Sequence, residues 1–250
     1  MLAAAIVVKW KQSRGIERLV ENMNLPADCR QILLVTSASW NATDGQLILL
    51  QRAAGERQWH TVSEQPIPVS LGRSGLGWGR GLSLQPSSSG TQKREGDGRG
   101  VSGIFRLDTA FGYAPTPPEN TRLPYRQATE HDYFVDDSSS PEYNQWVNLP
   151  PKSGIPQTRW KSAETMRRDD DKYQLGIVVE HNMHPAKPDM GSAIFLHVWG
   201  APGMPTSGCT AMSRPDLEKI IKWLDPSHSP LLIQAPVHVL QTMRPVATAE

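Results

Sequence analysis

Proline and glycine recur along the whole chain, 21 and 20 of its 250 residues. Proline fixes φ and removes a backbone donor, and an interior glycine costs a helix roughly 1 kcal/mol against alanine. Long helices cannot be built on such punctuation, whereas short strands joined by turns can. The apolar runs agree. "RQILLVTSASW" and "GQLILLQRAAGERQWHTV" read as strands, with "NATDG" and "AAGE" as turn material. The nearly continuous run Gln46–Gln51 suits a strand buried on both faces. "IPVSLGRSGLGWGRGLS" adds a strand and then five glycines. No helical pattern follows them, so they serve turns and close sheet packing rather than a phosphate cradle. "YQLGIVVEHN" and "GSAIFLHVWG" are the clearest strand pair, and "PLLIQAP" closes as a strand.

Helical spacing is confined to short pieces. Ile16, Leu19, Val20 and Met23 share a face before Pro26 stops the run. Leu217, Ile220, Ile221 and Leu224 do the same between an N-cap at Ser213 and Pro226. A third short helix is expected over Ser162–Arg168, capped by Ser162. The fold expected is mainly β with a few peripheral helices. Its organisation is an N-terminal extension over 1–30, one domain over 31–236 and a tail over 237–250. The glycine-rich loop near residue 90 is the place to look for an internal boundary.

Lys and Arg number 26 against 25 Asp and Glu, and the basic residues are scattered. That balance offers no electrostatic footprint for nucleic acid. No run approaches the ~18 apolar residues of a membrane span. The start, "MLAAAIVV", is apolar with no basic residue ahead of it, so it is the stump of a secretory signal or a plain terminus. Two cysteines cannot make a disulfide scaffold, though a Cys29–Cys209 pair is left open. Cys29 precedes "ILLV" and reads as a small buried hydrophobe.

Cys209 is different. It lies in "FLHVWGAPGMPTSGCTAMS", among small and polar residues on what reads as an exposed turn. Strand alternation puts Ala193, Phe195, His197 and Trp199 on one face and Ile194, Leu196 and Val198 on the other. His197 then sits near a strand end, beside the loop that leads to Cys209. A thiol with its ordinary pKa of ~8.5 is mostly protonated at neutral pH. A nearby imidazole can take that proton and leave a thiolate–imidazolium pair. A helix expected about four residues on would favour the thiolate through its N-terminal potential. Backbone N–H groups of Ser207 and Gly208, with that of Cys209, are placed to hold a developing oxyanion. A zinc site is the competing reading, since His181, His184, His197 and Cys209 supply ligand types, although their spacing matches no metal motif.

The wording around these residues resembles the L,D-transpeptidase catalytic domain, the YkuD-like family. Its signature of a strand-borne His, a loop, then Ser or Thr, one residue, Gly and Cys reads here as His197 followed by Thr206-Ser207-Gly208-Cys209. "KREGDGRGVSGIF", "VDDSSSPEYNQWV", "WKSAETM" and "HNMHPAKPDMGSAIFLH" extend the likeness over roughly Gln31 to Pro236. The pattern departs at Ala211, where many members have Arg, at Ser207, where some have His, and at Gly100-Val101, which replaces Thr-Pro. These bear on substrate preference more than on the nucleophile.

The resemblance implies a β-sandwich of mixed sheets with the thiol in a cleft at one end. It implies a Cys209 nucleophile, a His197 base oriented by the Val198 carbonyl, and a thioester formed on a peptidoglycan stem peptide with release of D-Ala. An amine or water then accepts the acyl group. No metal or organic cofactor is required, the expected location is extracytoplasmic, and the protein is expected to be a monomer. His181, Asn182, Ser192, Thr206, Tyr143, Asn144 and Asp137 are the expected substrate-binding residues. His181 and Asp137 also admit bland readings as a loop histidine and a solvated turn, and Trp160 reads as packing. A non-catalytic wall-binding module is the remaining alternative.

Overall fold

The computed structural model describes residues 15–84, 90–150 and 159–245. The apolar start, part of the loop near residue 90 and the end of the tail lie outside them. Eight strands form the ring of an eleven-stranded main sheet: β1 (Gln31–Ser37), β2 (Asp44–Gln51), β3 (Ile67–Ser70), β4 (Gly100–Gly112), β5 (Leu175–Val179), β6 (Phe195–Val198), β7 (Thr210–Met212) and β8 (Leu231–Pro236). Their spatial order is β1-β8-β4-β5-β6-β7-β3-β2, and β2 pairs back onto β1, so the sheet closes on itself. The β1/β8 and β6/β7 pairs are parallel and the other neighbours antiparallel, which makes the sheet mixed as well as the fold mainly β. The joins differ in length. β1 and β8 share six register pairs, whereas β7 meets β3 at the single pair Ala211↔Ser70.

Strand alternation sorts the apolar residues into layers. Leu33, Val35, Leu47, Leu49, Phe105, Ile177, Leu196 and Met212 form one interior cluster. Leu217, Ile220, Ile221 and Leu224 of the helix Arg214–Trp223 join it. That helix starts where expected, with the Ser213 hydroxyl accepting from the Asp216 N–H. The opposite face of the ring packs differently on its two sides. Ile32, Leu34, Leu50 and Ile233 pack with Val20 and Met23 of the N-terminal helical segment and with Val239 and Leu240. The run Ile32–Val35 of β1 is therefore apolar without a break, because both of its faces are covered.

Phe111, Val178 and Phe195 face a third cluster with Phe134, Met166 and Tyr173. Phe134 belongs to a small sheet in which Asp132–Val135 lies between Trp146–Asn148 and Ala163–Thr165. Here the expected helix over Ser162–Arg168 is corrected: Ala163–Thr165 is a strand, with Glu164 opposite Phe134. A seven-residue helix gains little over the cost of its nucleus. The extended path instead buries Met166 and Trp160 on the small sheet.

Two glycines show why that residue is needed. Gly75 has φ +79°, and a Cβ there would stand 2.0 Å from the Trp40 carbonyl oxygen. A Cβ on Gly72 would meet the Gly100 nitrogen at 2.4 Å.

Candidate active site

His197 and Cys209 come from the parallel neighbours β6 and β7. The register sets His197 opposite Ala211, so Cys209, two residues earlier, projects on the same outer face. Both line a cavity of about 390 Å³ between that face and the small sheet. Phe195 sits beneath them, edge-on to Phe111, Phe134 and Tyr173 with ring centroids 5.1 to 5.5 Å away. Tyr173 also packs edge-on against the His197 ring at 5.3 Å.

The turn is exposed at Ser207, but the thiol itself is buried. Cys209 is 7% exposed, and its sulfur accepts from the Phe195 N–H at 3.4 Å and donates to the Ala193 carbonyl at 3.5 Å. It is unpaired, as is Cys29, which leaves no disulfide between them. The helix begins at Arg214 behind its Ser213 cap, with the three residues of β7 between the cap and Cys209. Burial pushes the Cys209 thiol up to about 12, with the nearby Glu164 carboxylate acting in the same direction. Burial lowers His197 to about 4, against the opposing pull of its bond to Val198. The resting pair is therefore a neutral thiol and a neutral imidazole rather than an ion pair. No hydrogen bond joins the two among the described residues.

The imidazole is nonetheless poised. Its Nδ1 lies 2.8 Å from the Val198 carbonyl oxygen, which only accepts. Nδ1 therefore carries the proton, and Nε2 keeps a free lone pair. At the turn before β7, the Thr206 hydroxyl donates to the Cys209 carbonyl at 2.6 Å and accepts from the Gly208 N–H at 3.1 Å. Gly208 is thus committed, while the N–H groups of Ser207 and Cys209 have no partner among the described residues.

The expected substrate-binding residues divide into two groups. Ser192 and Thr206 line the cavity. Ser192 donates to Glu95 at 2.7 Å, and Tyr143 donates to the same carboxylate oxygen at 2.5 Å from just outside the wall. His181, Asn182 and Asn144 are instead sealed in a scaffold behind it, at 1 to 2% exposure. His181 accepts from the Arg80 N–H through Nδ1 and bonds the Met190 carbonyl through Nε2, and burial lowers it to about 3. Asn182 ties Lys187 to Gly191, and Asn144 bonds His181, Asn182 and Ala193. Asp137 accepts from Ser139 and the Lys161 N–H, which hold its carboxyl down at about 2. It braces a turn, and its neighbour Asp136 reaches the cavity instead. Trp160 is packed, at 4% exposure.

The remaining cavity wall is charged. Arg73, Lys93, Arg168 and Lys172 stand with Glu95, Asp136 and Glu164. Lys93, Glu164 and Tyr173 carry no expectation from the sequence. Charged residues inside the "KREGD" and "WKSAETM" segments were the available signal. The zinc reading loses its ligands: His181 is consumed by the scaffold and His184 pairs loosely with Glu180. Among the described residues no three His, Cys, Asp or Glu side chains are grouped to hold a metal ion. Nor is any described helix long and apolar enough to cross a membrane.

Searches of the curated proteins and of the solved structures each return no match. The family model for the L,D-transpeptidase catalytic domain, YkuD, matches residues 42–239, which include every residue of the cavity wall. The chain therefore belongs to the L,D-transpeptidase catalytic-domain family, whose members act on peptidoglycan.

Proposed function

We propose that this protein is a cysteine acyltransferase that cleaves and rejoins peptidoglycan stem peptides. Residues 31–236 are its catalytic unit, and it works outside the cytoplasm as a monomer. The observation that carries this reading is a free thiol sharing a cavity wall with an imidazole whose bare Nε2 is fixed by the Val198 carbonyl.

The Cys209 sulfur attacks the carbonyl carbon of the amide before a terminal D-alanine. Its proton passes to His197 Nε2, and the carbonyl π pair moves to oxygen, where the Ser207 and Cys209 N–H groups receive it. As the C–N bond breaks, the imidazolium protonates the departing D-alanine and a thioester remains. An amine of a second stem, or water, then gives its proton to His197 and takes the acyl group, restoring the thiol. The neutral resting pair suits a concerted transfer, since the thiolate forms only as attack consumes it. A wall bearing both signs of charge suits a stem peptide that is itself zwitterionic.

The test is incubation with a disaccharide-tetrapeptide followed by mass spectrometry. Loss of alanine alone identifies hydrolysis, and dimers identify transfer. An unchanged substrate, or activity that survives Cys209→Ala, defeats the reading.

A further inference from the structure

Lys93 is the most expensive residue on the cavity wall. Its side chain is 3% exposed although it carries an ammonium. Removing such a charge from water costs several kcal/mol unless partners compensate. Nζ donates to Asp97 Oδ1 at 2.6 Å and to the Arg94 carbonyl at 2.8 Å. Asp97 is shared, since its carboxylate also accepts from the Arg94 N–H at 2.8 Å and the Arg99 N–H at 2.9 Å. Two of the three ammonium protons are thus spent on the scaffold.

The ammonium is also aimed. A Cβ built on Gly208, the residue before the nucleophile, would stand 3.7 Å from Lys93 Nζ. A Cβ on Gly191 would press on the Lys93 stem at 2.9 Å, so the space beside the lysine is kept clear from two sides. Four other groups face Cys209. Glu164 from the small sheet opposes a negative sulfur, and the Tyr173 phenol at the end of the one-turn 3-10 helix Asp171–Tyr173 is neutral. Arg168 favours a negative sulfur from the segment between them, and His197 on β6 is neutral at rest. Lys93 is the buried cation among them.

We infer that Lys93 is a positioning residue for the proposed reaction: a fixed, buried positive charge behind the Thr206–Cys209 turn that stabilises negative charge on sulfur and on the adjoining oxyanion. The sulfur proton goes to His197 Nε2, and no bond to Lys93 forms or breaks. The inference rests on the reading of Cys209 as nucleophile.

The experiment is the pH dependence of iodoacetamide alkylation at Cys209, read by peptide mass spectrometry so that Cys29 is scored separately. Lys93→Met should raise the alkylation midpoint by about one pH unit, roughly tenfold in rate below it. Lys93→Arg should restore most of that loss. Asp97→Asn, which strips the counter-charge and keeps an acceptor, should lower the midpoint. General structural damage cannot move the two variants in opposite directions. A wild-type midpoint in Lys93→Met, or shifts of the same sign in Lys93→Met and Asp97→Asn, overturns the inference. If Lys93→Met does not fold, Asp97→Asn decides alone, and an unchanged or raised midpoint refutes it. If wild-type Cys209 resists alkylation and leaves the tetrapeptide intact, the nucleophile reading falls and this one with it. If wild type labels and His197→Ala slows it while the Lys93 variants match wild type, only the role of Lys93 falls.

Discussion

Asn144 separates a residue that holds the site from one that touches substrate. It is 2% exposed and has φ +61°, a left-handed conformation that asparagine tolerates better than alanine. Its amide donates to the carbonyls of His181 at 2.9 Å and Asn182 at 2.8 Å, and accepts from the Ala193 N–H at 3.1 Å. Asn144→Ala removes all three bonds and leaves three buried backbone groups without a partner. Each such loss costs about 1–3 kcal/mol. The left-handed backbone adds about 1 kcal/mol once Cβ is alanine's. Allowing for relaxation, the variant should be about 4 kcal/mol less stable, and its melting temperature should drop by roughly 8–16 °C. Asn144→Gly loses the same bonds but not the backbone preference, so it should recover part of the deficit. Urea titration and thermal melting measure both. If Asn144→Ala stays within about 1 kcal/mol of wild type while its affinity for the tetrapeptide falls, the scaffold argument is wrong and Asn144 belongs to the substrate.

Gly75→Ala should cost upward of roughly 3 kcal/mol or prevent folding, because backbone conformation and the Trp40 carbonyl both forbid a methyl group; an unshifted urea midpoint would contradict this. His181 and His197 are held neutral by burial, at about 3 and about 4, while unfolded histidine titrates near 6.5. The unfolded chain then binds more protons below 6.5, so their contribution is intact above that pH and is lost as pH falls toward 4. The slope should approach two protons, about 2.7 kcal/mol per pH unit, and a flat denaturation profile over this window would be incompatible with two neutral buried rings. Iodoacetamide at neutral pH should modify wild-type Cys209, and His197→Ala should slow the labelling; equal rates in the two proteins would favour the non-catalytic wall-binding module.

Much of the ring is legible because alternation is a local rule. Leu196 and Val198 face the interior and His197 faces the cavity, as period two requires. The N-cap at Ser213 is legible for the same reason, since cap chemistry is complete within four residues. Burial is not local. The run Thr206-Ser207-Gly208-Cys209 is small and polar, which reads as exposure, and Ser207 is exposed, yet Gly208 and Cys209 are covered. That cover turns an expected ion pair into a neutral one. Asn144 and His181 illustrate a second limit. Polar side chains near a cleft suggest ligand contact, but here they bond backbone groups distant in sequence, Asn144 those of His181 and Asn182 and His181 that of Arg80. Glu164 was hidden by a wrong local assignment: as part of a helix it had no assigned direction, and as part of a strand it faces the cavity.

A hoop opens where its weld is thinnest. The eight strands of the ring are riveted firmly where β1 lies along β8, yet β7 meets β3 at the one rung of Ala211 and Ser70, two residues past the sulfur, helped only by the neighbouring Gly72–Thr206 bridge. Parting that short join would loosen the cavity wall at Thr206 and Ala211 without unzipping the β5–β6 pair that carries the imidazole. Amide protons there should trade with solvent ahead of those along β1, so the entrance for a bulky, cross-linked polymer is the part of the ring least expensive to part.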